Sequence, residues 1–173
     1  RKAVLEVTAT DVAALTGSSA APLMRRYGAR ARLDEIAHDT GLRILLATVA
    51  RTAAQHDRII EPILSVWDSH HLRVSVRVRR SLDGASIVEE NLGWRIAEPT
   101  AEEAGEEYGC AHILVPLSTP VNLRDKRVSG PLWIGQMGDG DVMSSLSEEQ
   151  ALALCAPTEE LVSDVSELRL RRR

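Results

Sequence analysis

The stretch "HLRVSVRVRR", His71 to Arg80, alternates apolar and polar residues without a break up to its last pair. Successive side chains of a β-strand point to opposite faces. Leu72, Val74, Val76 and Val78 therefore share one face, and Arg73, Ser75, Arg77 and Arg79 the other. Such a strand buries one face only, so it needs sheet partners and a covering layer. Just upstream, "IIEPILSVW" (Ile59 to Trp67) reads as a second strand, and the turn-like "DSHH" joins the two. The arginines on the polar face fit two roles: a basic surface for a polyanion, or the charge an edge strand carries against aggregation.

A strand of another kind opens the chain. "AVLEVTAT", Ala3 to Thr10, is almost continuously apolar and β-branched, the pattern of a parallel strand covered on both faces. It needs neighbours, and the chain starts directly inside it. Residues 1–80 therefore read as the C-terminal part of a larger α/β domain. The loop "DVAALTGSSAAP" follows. Leu33, Ile36, Ala37, Gly41, Ile44, Leu45, Thr48 and Thr52 then recur at spacings of three and four, which predicts a helix. Asp34 and Glu35 suit the positive end of its dipole. On another face Arg43, Ala47, Arg51, Gln55 and Arg58 form one stripe with no acidic residue at those positions.

From Ser81 the elements are shorter. "LDGASIVEENLGW" predicts a short helix closed by Gly93 as C-terminal cap. "AEPTAEEAGEEYG", Ala97 to Gly109, reads as an acidic linker, and "AHILVPL" as a strand. "SGPLWIGQMGDGD" gives a turn, a short strand and a glycine-rich loop. "SEEQALALCA" opens with a capping box between Ser147 and Gln150. "TEELVSDVSELRLRRR" sets Leu161, Val162, Val165 and Leu168 on one helical face. Residues 81–173 read as a small α+β domain.

Charge separates the two parts. The net charge is −4, yet residues 1–80 hold 13 Lys and Arg against 8 Asp and Glu, whereas residues 81–173 hold 8 against 17. Seven arginines (25, 26, 30, 32, 43, 51 and 58) lie between Leu23 and Arg58. A basic part on an acidic chain points to a polyanionic partner. No apolar run approaches the ~20 residues of a membrane helix, and no signal peptide is visible, so a cytoplasmic protein is expected. Cys110 and Cys155 are too few for a disulfide framework or a Cys-only zinc site. His38, His56, His70, His71 and His112 lack ligand spacing, so no metal site is expected. Gly135, Gly138 and Gly140 run in the reverse order of a dinucleotide fingerprint and read as turn residues. Composition and spacing name no reaction.

Four stretches in order do carry a resemblance: "VTATD" (Val7–Asp11), "RRYGARARLDEIAHDTGLRILLATVARTAAQHD" (Arg25–Asp57), "IEPILSVWDSHHLRVSVRV" (Ile60–Val78) and "GPLWIG" (Gly130–Gly135). They resemble the archaeal and eukaryotic tRNA guanosine N2-dimethyltransferases, which move methyl groups from S-adenosylmethionine to the guanosine at tRNA position twenty-six. In that likeness they are the fifth strand and its exit, an arginine-tyrosine-glycine segment with its helix, the strand pair ending the catalytic domain, and a motif of the C-terminal domain. The resemblance implies the C-terminal portion of a Rossmann-like methyltransferase sheet in residues 1–80. An incomplete family-specific α+β domain follows in residues 81–173. The family's cofactor glycine segment and its aspartate-proline-phenylalanine motif would lie upstream of the matched strand. No catalytic residue is therefore numbered here, and the chain alone is expected to be inactive and to bind no S-adenosylmethionine measurably. Many members pair cysteines for zinc where Cys110 stands alone, so zinc is not expected. Glu6 and "GQMGD" also depart from the family's pattern.

The resemblance further implies an RNA site at the carboxyl end of the first strand, where α/β sheets bind their ligands. A flipped-out guanine would enter there. Thr10 and Asp11 would hydrogen-bond its edge, or else serve only the turn. Arg25, Arg26, Arg30 and Arg32 would meet phosphates, with Arg25, Arg26 and Arg30 on the surface beside that strand end. Tyr27 would stack on a nucleotide or be buried with its hydroxyl satisfied. Arg43, Arg51, Arg73 and Arg77 would meet the RNA backbone. The alternative is a non-catalytic RNA-binding or partner-binding module.

Overall fold

A computed structural model describes residues 3–68, 70–97 and 112–155. The alternating stretch forms β3 (Leu72–Arg80), with Leu72, Val74 and Val76 fully buried. It pairs antiparallel with β2 (Arg58–Trp67) and with β1 (Ala3–Ala9), in the order β1-β3-β2. Two expectations are corrected here. First, β3 is the central strand, so its arginines do not guard an edge. Second, β1 is antiparallel and lies at the edge among the described residues, with Val4 70% and Leu5 43% exposed. An apolar run encodes a preference for burial, but neither strand direction nor what covers it. Pro62, which lacks a ladder N–H, is tolerated because β2 is the other edge strand. A bulge at Ile63 leaves its carbonyl to accept from the Asp139 N–H at 2.9 Å.

The buried face of β3 packs on the helix predicted from the three-four spacing. In chain order the helices so far are α1 (Val12–Leu15), α2 (Ala20–Tyr27) and α3 (Ala37–Ala54). α3 starts later than Asp34. That carboxylate instead accepts from the Ile36 N–H at 3.2 Å and pairs with Arg95, holding residues 34–36 as a loop before the helix. Residues 39–47 of α3 are buried without a gap, because the helix is covered on two sides.

The second cover is a smaller antiparallel sheet. α4 (Gly84–Glu90) leads into β4 (Leu92–Ala97), which is flanked by β5 (His112–Pro116) and β6 (Val128–Trp133) in the order β5-β4-β6. Asn91, not Gly93, closes α4. Gly93 lies within β4, where a Cβ would stand 2.0 Å from the Val115 carbonyl oxygen, so close strand approach is what requires a glycine. α5 (Gly140–Ser145) is capped by Asp139, and α6 (Glu148–Cys155) opens with the expected reciprocal capping box. There the Gln150 N–H donates to Ser147 Oγ at 3.2 Å, and the Ser147 N–H to Gln150 Oε1 at 3.0 Å. The linker beyond Ala97, Cys110 and the final arginine-rich stretch lie outside the described residues.

One apolar cluster joins Leu15 and Leu23, Ile44 and Leu46 of α3, Val74 and Val76 of β3, and Leu92, Leu132 and Trp133 of the second sheet. Each large side chain buried here contributes roughly 1.5–3 kcal/mol. The interior therefore runs across Arg80. No helix among the described residues is long and apolar enough to cross a membrane.

Candidate nucleic-acid interface

At the carboxyl end of β1, Thr10 is exposed and Asp11 half-buried. The Asp11 carbonyl starts α1 by accepting from the N–H groups of Ala14 and Leu15 at 3.1 and 3.0 Å. Its side chain caps nothing and pairs with Arg26. Backbone and side chain thus divide the work, and the carboxylate is left for partners outside the turn. Arg26 lies in the last turn of α2, where cations suit the helix dipole. Arg25 beside it is exposed and has no hydrogen-bond or ion-pair partner among the described residues. Gly28 ends the helix in the left-handed conformation (φ 61°), its N–H donating to the Met24 carbonyl at 3.0 Å. Tyr27 is partly buried. Burial, then the neighbouring Asp11 carboxylate, push its phenol above the ordinary value, against a smaller opposing pull from Arg26, so the hydroxyl keeps its proton.

The next two arginines are tied to the second sheet. Arg30 exchanges backbone hydrogen bonds with Gly130 at 2.9 and 2.8 Å, and its guanidinium donates to the Leu123 carbonyl. The Arg32 N–H donates to Ser129 Oγ at 2.9 Å, and its side chain stands 3.7 Å from Asp34. Arg30 and Arg32 are half-buried, while the last turn of α2 presents Arg25 and Arg26 more openly.

The helix stripe does not survive folding as a basic face. Arg43 is 6% exposed. Its guanidinium donates to Asp39 at 3.0 Å and to the carbonyls of Trp133 and Gly135 at 3.0 and 3.3 Å. Asp39 sits one turn earlier on the same line, so the stripe carries its own acid. Arg43 therefore belongs to the interior and not to an RNA backbone surface. Arg51 is half-buried and donates to the Tyr27 carbonyl at 2.8 Å, satisfying an end group of α2. Arg58 begins β2 and leaves the helix altogether.

On the polar face of β3, Arg73 stands 3.6 Å from Glu6 of β1. Arg77 and Arg79 share Glu61 of β2 at 3.5 and 2.5 Å. The Arg79 hydrogen bond leads the causes that hold Glu61 below the usual carboxylate value. Glu6, the departure noted within the first strand, thus has its counter-charge across the sheet.

Two groups escaped the sequence reading. Arg95 of β4 is fully buried and donates to Thr40 Oγ1 at 2.6 Å and to Asp34. Its Nε has no partner in that interior. An arginine pointing into the core from a short strand shows no periodic signal of its own. The second group is the β2–β3 turn. Asp68 is buried and accepts from the His71 N–H at 2.8 Å, with His71 Nδ1 at 3.1 Å. Trp67 stacks on His38 of α3 with ring centroids 3.6 Å apart. The alternation in β3 already implied which end of the sheet this turn occupies, and that was the usable signal. Among the described residues no group of three or more His, Cys, Asp or Glu is placed to hold a metal ion.

Comparison with known proteins bears on this site. A family model described as N2,N2-dimethylguanosine tRNA methyltransferase matches residues 1–167. The tRNA (guanine(26)-N(2))-dimethyltransferase of Thermoplasma acidophilum is 43% identical over 146 residues, covering 84% of this chain and 37% of the relative. Its counterpart in Thermoplasma volcanium is 33% identical over 144 residues, covering 83% and 36%. The solved complex of Trm1 from Pyrococcus horikoshii with S-adenosyl-L-methionine aligns at a TM-score of 0.73 and 29% identity, over 89% of this chain and 41% of that one. The chain thus spans well under half the length of these relatives.

Proposed function

The chain belongs to the N2,N2-dimethylguanosine tRNA methyltransferase family, and on that premise we propose that the intact protein methylates the N2 amine of a guanosine in tRNA with S-adenosylmethionine as donor. This chain supplies part of the base pocket and the grip on the RNA. The observation that carries the reading is the grouping at the carboxyl end of β1: exposed Thr10, the Asp11 carboxylate free of any capping duty, and the cations of Arg25 and Arg26 at the end of α2. Thr10 and Asp11 address the base edge; Arg25 and Arg26 address phosphates. Arg30, Arg32, Tyr27 and Arg51 flank them, while Arg73 and Arg77 of β3 reach the RNA backbone by exchanging Glu6 and Glu61 for phosphates. When RNA arrives, a phosphate competes for Arg26 and releases Asp11 toward the base.

The edge position of β1 among the described residues and its exposed Val4 and Leu5 support the finer reading that the first sheet continues beyond β1 as a Rossmann-like methyltransferase sheet. Residues 1–80 are then its C-terminal part, and residues 81–173 a family-specific domain docked on α3. The residues present do not by themselves fit the cofactor. Asp11, the acidic side chain at the exit of β1, is engaged by Arg26, and the segment leaving it is helix and not a glycine-rich turn. The cofactor, when bound, supplies the methyl group, and this chain's own part lies with the RNA. Cytoplasmic placement follows from the substrate.

The test is methyl transfer by the intact protein into a tRNA transcript and into the same transcript with the target guanosine replaced by adenosine. Incorporation into the first alone is expected. Equal incorporation into both overturns the proposal. Thr10→Ala should lower the transfer rate and leave the salt dependence of binding unchanged, because a base-edge contact acts on positioning. Titration calorimetry of the 173-residue chain with S-adenosylmethionine should show no binding.

A further inference from the structure

Strand register brings to this end a side chain to which the sequence reading gave no role. Ala9 pairs with Leu72, and Leu72 with Trp67. Continued one step past these strand ends, the same register sets Thr10 opposite His71, at about one strand spacing, ~5 Å. Asp68 holds His71 twice, by its backbone N–H at 2.8 Å and its Nδ1 at 3.1 Å. With the Asp68 carboxylate accepting at Nδ1, the neutral tautomer this contact selects carries its proton on Nδ1 and has Nε2 as its acceptor. Nε2 has no hydrogen-bond partner among the described residues, and the side chain is 35% exposed. The Trp67–His38 stack pins the turn to the first turn of α3, so the imidazole is oriented before a ligand arrives.

We propose that His71 is a specificity-determining residue for the target base, its Nε2 accepting a hydrogen bond from the exocyclic amine of guanine. Asp68 is the positioning residue that orients the ring and selects its Nδ1–H tautomer. The inference rests on the reading of the β1 end as a guanosine pocket. Guanine presents two adjacent donors on its Watson–Crick edge, the N1–H and the N2 amine. Asp11 and His71 are both acceptors, and the Thr10 hydroxyl serves either way. Adenine would set its N1 acceptor against this set and leave the site's own acceptors unpaired, which is the strongest form of rejection a polar site has.

The test uses the intact protein and two tRNA transcripts that differ only at the target position, guanosine in one and inosine in the other. Inosine keeps the N1–H and lacks the amine. The wild type should bind the guanosine transcript about tenfold tighter, the worth of one good hydrogen bond. His71→Ala and His71→Phe should bring that ratio close to one with the salt slope unchanged, whereas His71→Gln, whose amide oxygen still accepts, should keep part of it. Two removal variants are used because the phenyl ring preserves the volume should alanine not fold. A ratio that stays at the wild-type value in a folded removal variant overturns the role of His71. A wild type that methylates guanosine yet binds both transcripts equally overturns it as well, and leaves the guanosine reading standing. A wild type that does not methylate guanosine overturns that reading first.

Discussion

Arginines at the end of α2 and arginines beneath α3 stand in opposite relations to water. Arg25 is exposed and unpaired among the described residues, and Arg26 keeps half its side chain in solvent beside Asp11. Arg43 and Arg95 are closed off between α3 and the second sheet, with Asp39, Asp34, Thr40 and two carbonyls spending their donors. A guanidinium leaves water only if its surroundings replace most of the hydrogen bonds it gives up. The inner pair therefore specifies how the second sheet docks on α3, and of these four only the outer pair is placed to read a polyanion.

The sharpest way to break this comparison is to truncate both inner arginines and one outer arginine. Arg95→Ala takes from Asp34 its buried cation and from Thr40 Oγ1 its donor, and should cost about 3–5 kcal/mol, enough to unfold a marginal domain. Arg43→Ala should fall at the lower end of that range. Arg25→Ala should stay within about 0.5 kcal/mol. Denaturant unfolding of the three variants decides; equal losses would erase the distinction.

RNA binding should reverse the ranking. In the intact protein, Arg25→Ala and Arg26→Ala should each weaken binding for all tRNA sequences alike and shallow the slope of log K against log salt by roughly 0.7–0.9. If the slope is unchanged in both variants while thermal stability falls, these arginines are structural too.

A smaller effect sharpens the inner region. Burial first, and the nearby Arg95 guanidinium second, hold His112 below its ordinary 6.5. The unfolded chain then binds a proton that the folded one refuses, so stability is full above about 6.5 and falls as pH drops through that value toward the folded pKa. Melting temperature across this window should decline in the wild type and flatten in His112→Gln. The smallest effect is local to the second sheet's loop. Asp125, hydrogen-bonded by Arg127, titrates at about 2 against an ordinary 3.8. Arg127→Ala should return its carboxyl NMR titration toward the higher value with little change in folding.

Legibility followed the range over which each signal acts. β3 and its buried valines, the β2–β3 hairpin, the body of α3 and the Ser147–Gln150 capping box were readable because periodicity and capping are set by residues within a few positions of one another. The start of α3 was misjudged because Asp34 is drawn to an arginine 61 residues away. Gly93 read as a helix cap because the carbonyl that crowds it comes from β5. At the strand end the structure pairs Asp11 with Arg26 of α2, a contact the sequence reading did not specify. Arg43 was misplaced because the stripe it sits on says where a side chain points, not what packs there.

By itself the sequence determined the strand and helix periods, the uneven charge and the family likeness, all of which rest on near neighbours or on whole motifs in order. Only the tertiary structure decided which arginines meet water, which way β1 runs and that Asp68 holds His71 in the β2–β3 turn. The first two outcomes depend on contacts between residues distant in the chain. Desolvating a charge is tolerable only where such contacts supply its partners, so the same residue type became surface in one place and core in another.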